Sequence, residues 1–103
     1  MLTGKKVLVI GLAKSGKAAV RLLKKLNATI TINEFQEASK IPEYQQYLDD
    51  GIEMITGGHP DELFERDFDF VIKNPGINYH KPFILRLKER NIPVYTEIEL
   101  AYQ

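Results

Sequence analysis

The chain has no cysteine in its 103 residues. That excludes disulfide frameworks and thiolate metal sites, and a reducing compartment suits it without being required. It also lacks an excess of either charge: 14 basic residues balance 14 acidic ones. Sequence-blind binding to nucleic acid or to an anionic membrane surface needs a basic surplus, so neither partner is expected. No apolar run approaches the roughly 20 residues that cross a bilayer, and no signal-peptide pattern opens the chain. The expectation is a soluble, cytoplasmic protein. Internal repeats, low-complexity tracts and linkers are missing too, as is any Ser/His/Asp or paired-carboxylate arrangement. The two histidines, His59 and His80, stand near prolines in expected loops without partners at metal-ligand spacing, and both read as surface residues. These absences describe a binding domain without a catalytic centre of its own.

What is present is ordinary in composition, 44% hydrophobic and 27% charged, and orderly in pattern. One domain fits this length and two do not. Lys6 to Ile10 is a β-branched run ending at Gly11, as for a strand buried on both faces. From Lys17 to Leu26, Ala19, Leu22, Leu23 and Leu26 share one helical face, with Lys17, Arg21, Lys24 and Lys25 on the other; Asn27 is the stop. Thr29 to Ile32 reads as a second strand. Pro42 to Asp50 reads as a short helix with Gly51 after it, and Ile52 to Ile55 as a weaker third strand. A short helical turn is expected near Pro60 to Phe64 and a fourth strand from Phe68 to Lys73, broken at Asn74-Pro75-Gly76. Pro82 to Arg90 reads as a helix with Phe83, Ile84 and Leu87 inward. Pro93 to Tyr95 reads as a fifth strand, and Thr96 as the cap of a helix from Glu97 that the end of the sequence cuts short. Strands alternating with helices predict an α/β, Rossmann-like open parallel five-stranded sheet with helices on both faces.

In such sheets ligands bind at the carboxyl ends of the strands, at the switch point of strand order. Three segments are expected to converge there. Gly11-Leu12-Ala13-Lys14-Ser15-Gly16 follows the first strand and opens a helix, so its backbone N–H groups suit a phosphate. Gly11 permits the tight turn and Gly16 close helix–strand packing, but Ala13 replaces the middle glycine of the dinucleotide fingerprint. The segment also runs Gly11, four residues, Gly16 and Lys17, like a phosphate-binding loop of nucleoside triphosphatases, except that Ala18 lacks the hydroxyl needed for Mg²⁺. Asn33-Glu34-Phe35 follows the second strand, where NAD-binding folds place an acid on the ribose. An amide suits a uracil edge as well as a ribose, and Phe35 offers a stacking face. Asn74-Pro75-Gly76 supplies a turn across the switch point. Each feature has a plain alternative: a turn needed only for packing, a strand-closing Asn, a common Asn-Pro-Gly turn.

In order and spacing, Val9 to Gly16, Ile32-Asn33-Glu34, Val71 to Ile77 and Thr96 to Leu100 resemble the N-terminal domain of the Mur ligase family, in particular the members that add D-glutamate to UDP-N-acetylmuramoyl-L-alanine. The resemblance covers essentially the whole chain. It implies that residues 1–103 form the UDP-substrate-binding domain of a cytoplasmic ligase of peptidoglycan synthesis, with the central ATP-binding and C-terminal domains outside this sequence. It implies pyrophosphate at Lys14, Ser15 and the surrounding backbone, uracil at Asn33, Glu34 and Phe35, and ribose and pyrophosphate along Asn74 to Gly76. The family reaction phosphorylates the substrate carboxylate with ATP, and the D-glutamate amine then attacks the acyl phosphate, with Mg²⁺ stabilising the transferred charge. ATP, Mg²⁺ and D-glutamate belong to the other domains, so no cofactor is expected in this one and the chain alone is expected to be inactive. Some members carry an acid at the position of Asn33 and Ser at that of Asn74. The rival readings are a sister ligase of the same pathway, an NAD(P)-binding domain of a dehydrogenase or regulatory protein, and a scaffold domain for protein contacts.

Overall fold

A computed structural model describes residues 2–77 and 80–101. Five strands form one parallel sheet: β1 (Lys6–Ile10), β2 (Thr29–Glu34), β3 (Glu53–Thr56), β4 (Phe70–Lys73) and β5 (Val94–Tyr95), in the order β3-β2-β1-β4-β5. Four helices connect or follow them: α1 (Lys14–Lys25), α2 (Tyr44–Asp49), α3 (Pro82–Glu89) and α4 (Glu97–Ala101), with short 3-10 turns at Ala38–Lys40 and Asp61–Glu65. Strand order reverses between β1 and β4, which makes the carboxyl end of β1 the switch point.

The alternation of side chains along β1 divides the core in two. Val7 and Val9 face α1 and pack with Ala19, Val20, Leu23, Ile30 and Ile32. Leu8 and Ile10 face the other side and pack with Leu63, Phe64, Val71, Ile84 and Leu87. All four β1 residues are fully buried, as a strand covered on both faces requires. Burying each such side chain stabilises the fold by roughly 1.5–3 kcal/mol before the ordering entropy is set against it.

Several boundaries differ from the sequence reading. Helix α1 begins at Lys14, three residues early, and its first turn contains part of the glycine segment. It ends as expected: Asn27 takes a positive φ of 62°, which Asn tolerates better than most residues. Strand β2 continues through Asn33 and Glu34, which pair with Ile55 and Thr56 of β3. Strand β4 starts two residues late, at Phe70. Phe83 is only half-buried, unlike Ile84 and Leu87. Thr96 caps α4 as predicted. Its Oγ1 accepts from Glu99 N at 3.4 Å, and Glu99 Oε1 accepts from Thr96 N at 3.0 Å, a reciprocal capping box.

Candidate functional site

The carboxyl ends of β1 and β4 are joined by a hydrogen bond from Asn74 N to Ile10 O at 3.0 Å. Here the chain leaves β1 through Gly11, whose φ of 91° suits glycine. A Cβ at this position would stand 3.0 Å from Asn74 Cβ, so the glycine also lets the two loops touch. Gly16 is tighter still: a Cβ there would lie 2.0 Å from Gly11 O, inside any permissible contact. The two glycines bring the start of α1 directly against the end of β1.

Between these loops lies a cleft of about 430 Å³, lined by Ala13, Lys14, Ser15, Ala18, Asn74, Pro75 and Glu97. The amino end of α1 opens into it. Ala13 at the N-cap provides no side-chain oxygen, and the first turn holds no acid. The first-turn N–H groups therefore have no side-chain cap and present partial positive charge to the cleft. Lys14 is exposed and enters no ion pair among the described residues. Glu97 is the one carboxylate lining the cleft.

Not all of the glycine segment is available. Gly11 N donates to Asn33 O at 2.8 Å, and Leu12 N donates to Glu34 Oε1 at 2.7 Å. Leu12 turns its side chain into the core. The part of the segment that lines the cleft is thus Ala13 to Ser15. Lys17 turns away: its Nζ lies 2.8 Å from Glu43 Oε2. That hydrogen-bonded pairing raises the Lys17 pKa and lowers that of Glu43. With Ala18 lacking a hydroxyl, the triphosphatase-type reading of this loop has no lysine to rest on.

Asn33 differs most from expectation. Read from sequence as an amide open to a base edge, it is 0% exposed. Its Nδ2 donates to Ile55 O at 3.0 Å and to Gly58 O at 2.8 Å, and its Oδ1 is hydrogen-bonded to His59 Nδ1. The amide is spent on holding the turn after β3 over the end of β2, and a ligand does not reach it. Glu34 is committed as well, its second oxygen accepting from Gln36 N at 2.8 Å. Phe35, in contrast, is 71% exposed.

His59 corrects the sequence reading in the opposite direction. Expected at the surface, it is half-buried, its ring 4.6 Å from that of Phe83 and 6.0 Å from that of Phe35. Phe83 stacks in turn on the buried Phe64 at 5.0 Å. Burial is the main cause of a lowered His59 pKa; Glu34 opposes the shift and Lys81 adds to it. The signal that could have revealed His59 is Gly57-Gly58 just before it. Both glycines take positive φ, and Gly57 N donates to both Glu34 O and Gln36 O.

Across the cleft, the turn after β4 is rigidly built. Asn74 Oδ1 accepts from Gly76 N at 2.9 Å, and Ile77 N donates to Asn74 O at 2.9 Å. Lys73, only 2% exposed, donates from Nζ to Ile77 O at 2.7 Å. Burial lowers its pKa.

A parallel sheet of this order, with a glycine turn opening the first helix at its switch point, defines a Rossmann-like domain. Solved structures share it. SirC, a precorrin-2 dehydrogenase, superposes with a TM-score of 0.66 over 90% of this chain and 44% of its own, at 16% identity. A probable dehydrogenase from Thermotoga maritima does so at 0.66 over 88% of this chain and 27% of its own, at 22% identity. At such identities the likeness shows the fold alone. The sequence is more specific. Residues 5–96 match the model of the Mur ligase MurD-like N-terminal domain, and the chain belongs to that family. It is 52% identical over 101 residues to a UDP-N-acetylmuramoylalanine--D-glutamate ligase of Streptococcus thermophilus, covering 98% of this chain and 22% of that one. The Streptococcus sanguinis protein of the same name is 52% identical over 98 residues, covering 95% and 22%. The chain therefore spans about a fifth of the length of the curated relatives it matches. No described helix is long and apolar enough to cross a membrane.

Proposed function

We propose that this chain is the domain that holds the uridine diphosphate part of UDP-N-acetylmuramoyl-L-alanine in a cytoplasmic ligase that adds D-glutamate to it. The observation that carries the reading is the uncapped amino end of α1, opening into the cleft at the switch point beside the Asn74–Gly76 turn. Backbone N–H groups from Ala13 to Gly16 would receive the pyrophosphate, with Lys14 adding charge and the Ser15 hydroxyl a further donor. Asn74, Pro75 and Gly76 would border the ribose and pyrophosphate. Phe35 would stack on the uracil, while Asn33 and Glu34 act through the loops they anchor. The relatives carry the ligase name on chains more than four times as long. ATP, Mg²⁺ and D-glutamate are accordingly assigned to parts of the ligase beyond these residues, where ATP supplies the energy of amide-bond formation. This domain contributes binding and orientation, which raise the effective concentration of the reacting carboxylate.

Calorimetric titration with UDP, UDP-N-acetylmuramoyl-L-alanine and NADH tests the proposal. Uridine-ligand binding without NADH binding supports it, and NADH binding with no uridine response would move the chain to the dehydrogenase class. An ATP-dependent ligation carried out by the 103-residue chain alone would contradict the division of labour.

A further inference from the structure

The hydrogen bonds around Asn33 fix more than its own orientation. Both Nδ2 hydrogens are used, one on Ile55 O and one on Gly58 O. The group that faces His59 is therefore Oδ1, which can only accept. His59 Nδ1 must then carry a hydrogen and donate it. In the neutral ring the proton count leaves Nε2 bare, a hydrogen-bond acceptor. Nε2 has no partner among the described residues, and it is not among the buried polar atoms that lack one, so it reaches solvent.

Two phenyl rings flank the imidazole, Phe83 at 4.6 Å and Phe35 at 6.0 Å between centroids. Phe83 supports one side of the imidazole, and the exposed ring of Phe35 stands on another. The backbone of Asn33 ties the cluster to the glycine segment through Gly11 N, and Glu34 ties it through Leu12 N. An acceptor at the edge of an aromatic platform, one residue away from the anion-binding turn in the hydrogen-bond network, is suited to reading a base.

We propose that His59 is a specificity-determining residue of this domain, its Nε2 accepting the N3–H of uracil and so selecting uridine over cytidine nucleotides. Uracil presents a donor at N3, whereas cytosine presents a lone pair there. A bare Nε2 pairs with the first and repels the second. Protonation reverses the preference, because Nε2–H donates to cytosine N3 and opposes uracil N3–H. The bond to Asn33 survives in either state, since Nδ1 keeps its hydrogen. The inference rests on the uridine-binding reading above and adds to it the residue that discriminates the base.

The charged groups facing His59 are Glu34 at the end of β2, which favours the imidazolium, and Lys81 before α3, which opposes it. Burial outweighs both and holds the pKa below the ordinary value of 6.5. The ring is thus neutral at pH 7 to 8, and uracil selectivity is full there. It is lost as the pH falls through the lowered pKa.

The test is an NMR-monitored titration of the ¹⁵N-labelled chain with UDP and with CDP between pH 5 and 8, for the native sequence and His59→Phe. The native chain is expected to prefer UDP at pH 8 by about tenfold, the order of one hydrogen bond. That preference should shrink as the His59 ring ¹⁵N signals report protonation on lowering the pH. His59→Phe keeps the aromatic stack and should give a UDP-to-CDP ratio near one at every pH. A native preference that stays unchanged while the His59 ring ¹⁵N signals report protonation overturns the proposal, and that result does not depend on the variant folding. A preference retained in folded His59→Phe overturns it equally. If UDP shifts the amides of Ala13 to Gly16 but not the His59 ring, the base assignment fails and the domain's function stands. If UDP shifts neither, both fail together.

Discussion

The two ends of the sheet carry clefts of almost the same size and opposite character. At the amino ends of the strands a hollow of about 400 Å³ is lined by Lys6, Thr29, Glu53, Arg66 and Phe68 among others. Its acidic groups are all paired, Glu53 with Arg66, Glu65 with Arg86 and Asp67 with Arg90, while the Lys6 side chain enters no ion pair among the described residues. Arg66 binds both oxygens of Glu53, at 2.7 and 3.1 Å, and lies over the Phe68 ring. Lys6 N donates to Asp69 Oδ2 at 2.7 Å. At the carboxyl ends, in the cleft of about 430 Å³, the α1 amino end and Lys14 are left without acidic partners among the described residues. The polar side chains around them, Asn33, Glu34, Lys73 and Asn74, bond to backbone groups, with Asn33 also holding the His59 ring. Volume does not distinguish the two ends. What distinguishes them is the uncapped helix end at the carboxyl side, whose first turn holds no acid, and how much buried polar structure is devoted to keeping a loop in place.

The strongest way to break this contrast is at Gly16. Gly16→Ala forces a Cβ onto Gly11 O and is expected to destabilise the chain by about 3 kcal/mol, read as a lower urea midpoint. Its effect on binding would then be inseparable from loss of the fold, so Ser15 and Lys14 are the better positions for testing the ligand. Lys73→Met comes next. It removes the donor to Ile77 O in a buried turn and should cost about 1–3 kcal/mol, with weaker UDP binding because the 74–77 turn loosens. At the other end, Arg66→Ala breaks a pair whose partners are nearly half exposed. It should cost no more than about 1 kcal/mol and leave UDP binding unchanged. The smallest expected effect is Glu97→Gln, which removes the one carboxylate lining the cleft. UDP should bind more tightly, by about twofold to fivefold at low salt, with the gain fading as ionic strength rises. Tighter binding in Arg66→Ala, or weaker binding in Glu97→Gln, would reverse the assignment of the two ends.

The framework of the fold was legible because it depends on local pattern. The continuous apolar run of β1 and the helical spacing of Ala19, Leu22 and Leu23 in α1, continued by Leu26 at its C-cap, state their period directly. Gly11 and Gly16 were legible too, since a strand, a glycine turn and a helix in sequence leave few geometries. Asn33 and His59 were not. An Asn before Glu and Phe has the composition of a turn, yet pairing with Ile55 and Thr56 keeps Asn33 and Glu34 in the strand. His59, between Gly58 and Pro60, has every local mark of an exposed loop, and what covers it comes from Phe35 and Phe83, each 24 positions away. Buried polar residues are fixed by partners distant in sequence, so a single-chain pattern does not announce them. The same limit applied to Leu12, whose N–H is claimed by a side chain 22 residues on.

The most direct test of the central claim is a map of backbone amide shifts as UDP is added to the ¹⁵N-labelled chain. Saturable shifts are expected at Ala13 to Gly16 and at Asn74, Gly76 and Ile77, with Glu53, Arg66 and Phe68 unmoved. Shifts concentrated at the amino-end hollow, or a response to NADH and none to UDP, would contradict it.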